Sequence, residues 1–158
     1  MARTKPQFFA LGIDVLVQES VVLQLVNIDR EPEQQAHLQT ANSLTALPDL
    51  IRQGVKFDII LLDGDHNYHT VIQELKYIEE LIHDHGMIVI DDYDGKWADR
   101  DLWYAEREGY QTVPGTTTRV ETTKHGVKLA VNDWLARHPE WKIHKPIPGE
   151  PILLMRDV

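Results

Sequence analysis

Two apolar runs near the middle of the chain each end abruptly in acidic residues. Residues 59–62 (IILL) lead into the turn 63–66 (DGDH), and residues 87–90 (MIVI) lead into Asp91 and Asp92. Continuous apolar runs of this length are typical of parallel strands that are covered on both faces. The segment between the runs is long enough for a crossover helix. We therefore predict a strand, a helix and a second, parallel strand, whose acidic ends lie side by side.

The spacing of apolar residues between these strands predicts the helix. Six of them fall on one face at helical intervals: Val71, Ile72, Leu75, Ile78, Leu81 and Ile82. Asn67, or Thr70 together with Gln73, can cap the start of the helix, and Gly86 suits a left-handed stop at its end. A right-handed crossover brings both acidic ends to one edge of the sheet, where open α/β sheets bind ligands.

The N-terminal part shows two apolar segments that lie close together. Residues 21–28 (VVLQLVNI) predict a strand that ends at Asp29, and residues 8–17 form a second apolar region. Only residues 18–20 separate the two, whereas a parallel crossover needs about a dozen residues or more. The first region is therefore either the hairpin partner of the strand or a helix that leads into it. Residues 1–7 are polar and are expected to be loose.

The remaining pattern predicts short elements around one long irregular segment. These are a weak helix at 33–38, a helix at 44–53 closed by Gly54, a helix at 127–135 and an antiparallel hairpin from 141–144 to 152–155. Residues 95–124 are charged and long for a loop, as in lids or insertions, although residues 99–108 suit a helix. Its aromatic residues either shape a binding pocket, or one Trp packs on the core and the others stay at the surface.

Composition narrows the classes of function. The chain has 158 residues, a net charge of −9 and no cysteine. This length predicts a single domain, and the acidic balance argues against a nucleic-acid partner. Disulfides, thiolate metal sites and a cysteine nucleophile are excluded. No run reaches the length of a membrane span and the N-terminus lacks a signal-peptide core, so we expect a cytoplasmic protein without a membrane partner.

The stretch FDIILLDGDHNY, followed after a helix by GMIVIDDYD, resembles the second half of class I S-adenosylmethionine-dependent methyltransferases. It is most similar to the metal-dependent O-methyltransferases of the sugar, macrolide and catechol types. The resemblance covers roughly residues 22–93 and the C-terminal end. It implies an α/β fold with a Rossmann-like, mostly parallel sheet and a C-terminal antiparallel hairpin.

One hallmark of that family is missing from the chain. Gly12 is the only glycine before Gly54, so the glycine-rich turn that follows the family's first strand is absent. We infer that the N-terminal βα unit is truncated or replaced. The deletion would leave inner strands without a neighbour and an apolar sheet face without its helix, and such surfaces favour association. We therefore expect a homo-oligomer.

The resemblance also implies a metal site and a base. The family's metal ligands correspond to Asp63, Asp91 and Asp92, and three carboxylates at one edge repel each other unless a cation or protons relieve them. Oxygen ligands favour Mg²⁺ or another hard divalent cation over zinc. His66 stands where the catechol-type enzymes carry a lysine base, which implies a catalytic role; a capping or ribose-adjacent role is the alternative.

Cofactor contacts follow from the same resemblance. Asp29 corresponds to the acid that binds the ribose hydroxyls, Asn42 and Ser43 lie in the family's third-strand region near the adenine, and Asp63 and His66 complete the set. Helix capping is the alternative for Asp29, and ordinary turn chemistry is the alternative for Asn42 and Ser43.

These implications predict an S-adenosylmethionine-dependent, divalent-metal-assisted O-methyltransferase that acts on a hydroxyl of a small molecule or a sugar. Because the glycine-rich turn is missing, a second hypothesis stays open: a degenerate module without catalysis that acts as an oligomeric assembly or regulatory subunit. Metal-dependent oxidation or hydrolysis is a third, since a fold does not fix its chemistry.

Overall fold

The fold consists of two β-sheets and a layer of helices. A computed structural model describes residues 8–14, 34–145 and 151–157. Its strands are β1 (Phe8–Asp14), β2 (Gln34–Thr40), β3 (Phe57–Leu62), β4 (Ile82–Ile90), β5 (Trp141–His144) and β6 (Ile152–Arg156). Its α-helices are α1 (Ser43–Arg52), α2 (Tyr68–Leu81) and α3 (Val127–Leu135). The first two strands form one sheet, and the other four form a second sheet in the order β3-β4-β6-β5.

The second sheet confirms the predicted strand–helix–strand unit and the C-terminal hairpin. Strands β3 and β4 run parallel, with Leu62 opposite Ile90. Strand β6 pairs antiparallel with both β4 and β5. The turn expected between β5 and β6, residues 146–150, lies outside the described residues. The α/β class, the parallel strand pair and the antiparallel C-terminal hairpin are as predicted, and together they make a mixed sheet, with one parallel and two antiparallel pairs among its described strands.

Helix α2 begins where the sequence indicated but ends earlier. The side chain of Asn67 accepts a hydrogen bond from the backbone N–H of Thr70 at 2.7 Å, so Asn67 is the N-cap. The prediction that Gly86 stops the helix is wrong: the helix ends at Leu81, and Gly86 lies buried inside β4. A Cβ atom at Gly86 would come within 2.5 Å of Ile82 Cγ1, so close packing explains the glycine.

One face of the second sheet is covered by helices. The largest core cluster joins buried side chains of β4 and β6 to buried side chains of α2 and α3: Ile88, Ile90, Ile152, Leu154, Leu75, Ile78 and Trp134 are among them. Burying each large aliphatic side chain contributes about 1.5–3 kcal/mol. Trp134 also packs against Trp141 with ring centroids 5.6 Å apart.

The opposite face is apolar but exposed. Ile59 and Leu61 of β3 are each 60% exposed, and Met155 of β6 is 39% exposed. The pairing registers place these residues in rows with partly buried neighbours. We call this set the open face; it comprises Ile59, Leu61, Met87, Val89, Leu153 and Met155. Because α2 and α3 pack on the alternate residues, no described helix covers the open face.

The N-terminal strands differ from the expectation. Residues 33–38 were expected to form a weak helix, but Gln34–Thr40 form β2 and pair in parallel with β1. The segment is polar and lacks strong strand formers, so pairing with β1 overrides its intrinsic preference. The expected strand at 21–28 lies outside the described residues, and β1 itself is a strand and not a helix.

Helix α1 confirms the short helix predicted around Pro48. Asn42 is its N-cap, and its side chain accepts a hydrogen bond from Leu44 N at 2.8 Å. Gly54 follows the helix with φ of 70°, a left-handed conformation that favours glycine. The family's third strand was expected at residues 40–44, but the strand ends at Thr40 and the helix starts at Ser43.

The long segment 95–124 has little regular structure but is firmly attached. The helix suggested at 99–108 is wrong, since only the 3₁₀ turn Tyr104–Glu106 forms there. The carboxylate of Asp101 accepts hydrogen bonds from the backbone N–H groups of Tyr68, at 3.0 Å, and Gly126, at 2.8 Å. One side chain therefore ties the segment to the starts of both α2 and α3. Within the described parts of the chain, no helix is both long and apolar enough to span a bilayer.

Candidate functional site

The acidic ends of β3 and β4 meet, as the sequence predicts. The backbone N–H of Asp91 donates to the carbonyl oxygen of Leu62 at 3.0 Å, which holds the two strand ends together. One oxygen of Asp63, one oxygen of Asp91 and a ring nitrogen of His66 all lie within 4.8 Å of one another. Ligands of one divalent cation lie about 2.0–2.6 Å from the ion, so this spacing can accommodate a shared ion.

Asp92 lies on the other side of His66. Its Oδ2 is 3.8 Å from His66 Nδ1, and its Oδ1 accepts a hydrogen bond from Lys96 N at 3.0 Å. Its backbone φ is 55°, a strained value for a residue other than glycine. Strain of this kind clusters at functional sites. The three-residue group contains His66 in place of Asp92, and the assignment of Asp92 as a metal ligand stays a prediction.

His66 is buried between two carboxylates. Its Nε2 is 3.7 Å from Asp63 Oδ1, while Nδ1 faces Asp92. Both separations are too long for direct hydrogen bonds, so the contacts are electrostatic. The ring can therefore act as a third metal ligand or accept a proton from a bound hydroxyl.

Two carboxyl groups at this edge, those of Asp63 and Asp65, lie in an environment that disfavours their charged forms. Burial raises the pKa of Asp63, the hydrogen bond and charge of Asp91 add to the rise, and His66 opposes it. Burial also raises the pKa of Asp65, although the N–H of Tyr104 donates to Asp65 Oδ1 at 2.9 Å. A bound cation would offset the charge repulsion between Asp63 and Asp91.

A cavity of about 930 Å³ adjoins the acidic edge. Its walls come from β1, one side of α1, the length of β3, one face of α2 and segment 95–124. Of the predicted cofactor residues, Asn42, Ser43 and Asp63 line it. Asp29 lies outside the described residues. The cofactor assignments of all these residues and of His66 stay predictions.

Asn42 has the turn chemistry considered for it and also contacts segment 95–124. Its Oδ1 caps α1, while its Nδ2 donates to the carbonyl of Gly115 at 2.5 Å and to Thr117 Oγ1 at 2.9 Å. Turn chemistry is therefore part of its function in the fold. The same bonds fasten the far end of segment 95–124 over the cavity.

The aromatic residues of that segment divide between the two alternatives. Tyr104 and Tyr110 line the cavity, with ring centroids 4.9 Å apart. Trp103 is almost fully buried, and Trp97 packs against the core. The segment contributes both to a pocket wall and to core packing.

Sequence reasoning missed two polar residues of the cavity, Thr70 and Glu74. Both are buried, at 2% and 4% exposure, and both line the cavity from α2. Burial raises the pKa of Glu74 to about 7; the hydroxyl of Ser43 hydrogen-bonds to it and opposes the rise, and the charge of Asp65 adds to it. A signal was present, because Glu74 falls between Val71 and Ile78 on the apolar stripe of the helix.

Comparison with known proteins identifies the family. Residues 12–93, just over half of the 158 residues, match a family model described as a methyltransferase domain. The chain belongs to this family. Residues 57–93 of the match include both acidic strand ends, so the candidate site lies within the part that defines the methyltransferase domain.

Solved structures support the same fold. The chain is similar to MycE methyltransferase from the mycinamycin biosynthetic pathway, in complex with Mg, SAH and mycinamycin VI, with a TM-score of 0.52, 14% identity and coverage of 96% of this chain and 45% of that one. A second MycE structure, in complex with Mg and SAH, matches with a TM-score of 0.53 and 15% identity, and the match covers 95% of this chain and 45% of that one. At this identity the likeness shows the fold alone. The chain spans less than half the length of these neighbours, and no curated protein matches it.

Proposed function

We propose that this methyltransferase domain transfers the methyl group of S-adenosylmethionine to a hydroxyl of a small molecule or a sugar, with the help of a divalent cation such as Mg²⁺. One observation carries the proposal. In a member of the methyltransferase-domain family, Asp63, His66 and Asp91 converge at the carboxyl ends of two parallel strands, beside a 930 Å³ cavity. Ligands of α/β sheets bind at this edge.

The residues at the edge suit distinct roles. Asp63 and Asp91, with Asp92 as the third predicted ligand, would hold the cation. A bound divalent cation supplies Lewis-acid polarisation, which lowers the pKa of a coordinated hydroxyl. His66 would take the proton of the acceptor as its oxygen gains the methyl group. The carboxylates of Asp63 and Asp92, on either side of the ring, would stabilise the imidazolium that forms.

The cavity supplies the place for the cofactor. We assign Asn42, Ser43, Asp63 and His66 to the binding of S-adenosylmethionine, and Asp29 to the binding of its ribose hydroxyls. Tyr104 and Tyr110 narrow the cavity from segment 95–124, and such a wall would exclude water from the reacting groups. Support also comes from MycE, whose structures contain Mg and SAH. The assignment of a small-molecule or sugar hydroxyl as the methyl acceptor rests on the sequence resemblance to the O-methyltransferases.

Calorimetry with S-adenosylhomocysteine, with and without millimolar Mg²⁺, tests the proposal. We expect binding in both conditions and a higher melting temperature with Mg²⁺, because a ligand that binds only the folded state stabilises it by mass action. In Asp91→Asn the Mg²⁺ shift should disappear, whereas Asp99→Asn, a change of an exposed acid, should keep it. Failure of S-adenosylhomocysteine to bind even with Mg²⁺ would favour the degenerate module without catalysis.

We also propose that the chain forms a homo-oligomer through the open face and the free edge of β3. Strand β3 is an edge strand among the described strands, and its exposed, apolar Ile59 and Leu61 also line the cavity, so a second copy at this face would form part of the cavity wall. Three adjacent strands span roughly 14 Å, so the open face is smaller than the about 800 Å² that each partner commonly buries. The β3 edge would have to contribute as well.

Light scattering at micromolar concentration distinguishes the possibilities. We expect a dimer or larger assembly for the unchanged chain and a monomer for Ile59→Thr/Leu61→Thr, which keeps strand propensity but removes apolar area. Leu129→Thr, on the exposed side of α3, is the matched control and should not change the mass. A monomeric unchanged chain would contradict the proposal. The cytoplasmic location and the absence of nucleic-acid and membrane partners stay predictions.

A further inference from the structure

Two buried polar side chains face the cavity from a helix that is otherwise apolar on that side. Thr70 and Glu74 are one helical turn apart on α2, and both line the cavity. Residues at this spacing point in the same direction, with Cβ atoms about 5–6 Å apart. They form a polar patch in a wall that also contains Leu47, Ile60 and Leu62.

The patch is only partly satisfied by the described part of the protein. Thr70 Oγ1 is buried and has no hydrogen-bond partner there. The groups that act on the Glu74 carboxyl are the hydroxyl of Ser43 and the like charge of Asp65, and neither is a cation. Burying a carboxyl without a compensating cation destabilises a fold, and an unpaired buried hydroxyl also costs stability. Because the buried Thr70 hydroxyl and Glu74 carboxyl destabilise the core, we infer that they serve to bind a ligand.

The chemistry of the patch defines the complementary ligand edge. Thr70 offers a hydroxyl donor, and Glu74 offers a carboxylate acceptor on the same face. A matching group must present one acceptor and one donor side by side on a flat, otherwise apolar body. The ring nitrogen N1 and the exocyclic N6 amine of adenine form such an edge, and proteins read unpaired bases through it.

We propose that Thr70 and Glu74 form a buried subsite for the N1/N6 edge of the cofactor's adenine, an inference that rests on the proposed function. The hydroxyl of Thr70 donates to N1, and the N6 amine donates to the carboxylate of Glu74. The hydroxyl of Ser43 lies near Glu74 and lowers the pKa of its carboxyl. The subsite extends the adenine contacts expected at Asn42 and Ser43 onto α2.

Calorimetry with two ligands tests the subsite: S-adenosylhomocysteine and S-inosylhomocysteine, in which a carbonyl replaces the N6 amine and N1 carries a hydrogen. We expect the unchanged chain to bind the inosine analogue at least about tenfold more weakly, since one hydrogen bond to a charged group is lost. Thr70→Val, which has nearly the same shape, should weaken S-adenosylhomocysteine about tenfold. Thr70→Ser keeps the hydroxyl and should restore affinity.

Glu74→Gln provides a readout that a purely structural role would not change. Its amide can donate to the carbonyl of the inosine analogue, so the preference for adenine should shrink or reverse. Glu79→Gln, on the same helix but paired with His138 outside the cavity, should leave both affinities unchanged. Equal binding of the two ligands by the unchanged chain, or unaltered affinities in Thr70→Val and Glu74→Gln, would overturn the subsite and leave the proposed function standing. No binding of S-adenosylhomocysteine at all would overturn both.

Discussion

The two faces of the β3–β6 sheet differ in what covers them, although β3, β4 and β6 carry apolar residues on both faces. Along β3, Ile60 and Leu62 pack into the core below the helices, while Ile59 and Leu61 alternate with them and stay 60% exposed. A strand that is apolar on both sides is the pattern of a strand covered on both faces. The sequence of β3 therefore predicts a covering layer on each face of the sheet, and the described helices cover one of these faces. The candidate site therefore lies on a sheet of which the described helices cover one face and leave the other exposed.

The largest expected effect comes from a matched pair of substitutions on the two faces. Ile88→Ala removes a fully buried side chain of β4 and should lower the free energy of unfolding by about 2–5 kcal/mol. Ile59→Ala on the neighbouring strand should cost less than about 1 kcal/mol in the dissociated chain, because there the side chain is mostly in water. Urea unfolding of both variants at low and high protein concentration measures the contrast. The homo-oligomer proposal requires the cost of Ile59→Ala to rise with protein concentration, and a cost that stays small at every concentration would contradict it.

The contrast between the faces also explains how far the sequence could predict the fold. Apolar periodicity located β3, α2, β4, α3 and the C-terminal hairpin, because each buries a continuous stripe against its neighbours. It failed at β2, whose polar residues 34–40 become a strand by pairing with β1. It also misassigned Gly86, since close packing against Ile82 and a helix stop require the same residue type.

For the candidate site, the sequence indicated which acids meet but not their arrangement. Runs that end in acid placed Asp63 and Asp91 together, since parallel strands share one carboxyl edge. The position of His66 between Asp63 and Asp92 depends on the turn geometry, which no spacing rule gives. Glu74 falls on the apolar stripe of α2, which indicates burial, but a single charged residue there does not indicate what it contacts.

A second prediction concerns Glu74, a buried carboxyl group on the apolar side of helix α2. Its pKa in the folded state is about 7, against an ordinary value of 4.5. The folded state therefore holds the proton more tightly than the unfolded chain does. The free energy of unfolding should fall as pH rises from about 4.5 to 7, by about 3 kcal/mol, and then level off.

Urea unfolding across pH 4.5–8 measures that loss, with Glu74→Gln as the comparison. The variant cannot ionise, so the difference in stability between it and the unchanged chain should grow with pH in its favour. A constant difference would show that Glu74 has a normal pKa and is hydrated. The comparison cancels the histidines, which titrate in the same range in both proteins.

The smallest expected difference in stability is between substitutions of the two asparagine N-caps, one of which is buried and the other partly exposed. Asn67 is fully buried, caps α2 and donates to the carbonyl of Leu102 at 3.2 Å. Asn42 is partly exposed, caps α1 and holds Gly115 and Thr117 of segment 95–124. Removing a cap costs about 1 kcal/mol, and leaving a buried carbonyl unpaired adds to that cost.

We therefore expect Asn67→Ala to lower the free energy of unfolding by about 2 kcal/mol and Asn42→Ala by about 1 kcal/mol. Asn42→Asp is the informative companion, because it keeps the cap acceptor but removes the amide that donates to segment 95–124. If that segment closes the cavity, Asn42→Asp should keep near-normal stability yet increase amide hydrogen exchange around residues 113–117. Unchanged exchange in Asn42→Asp would show that other attachments of the segment, among them the hydrogen bonds of Asp65 and Asp101, hold it without help from α1.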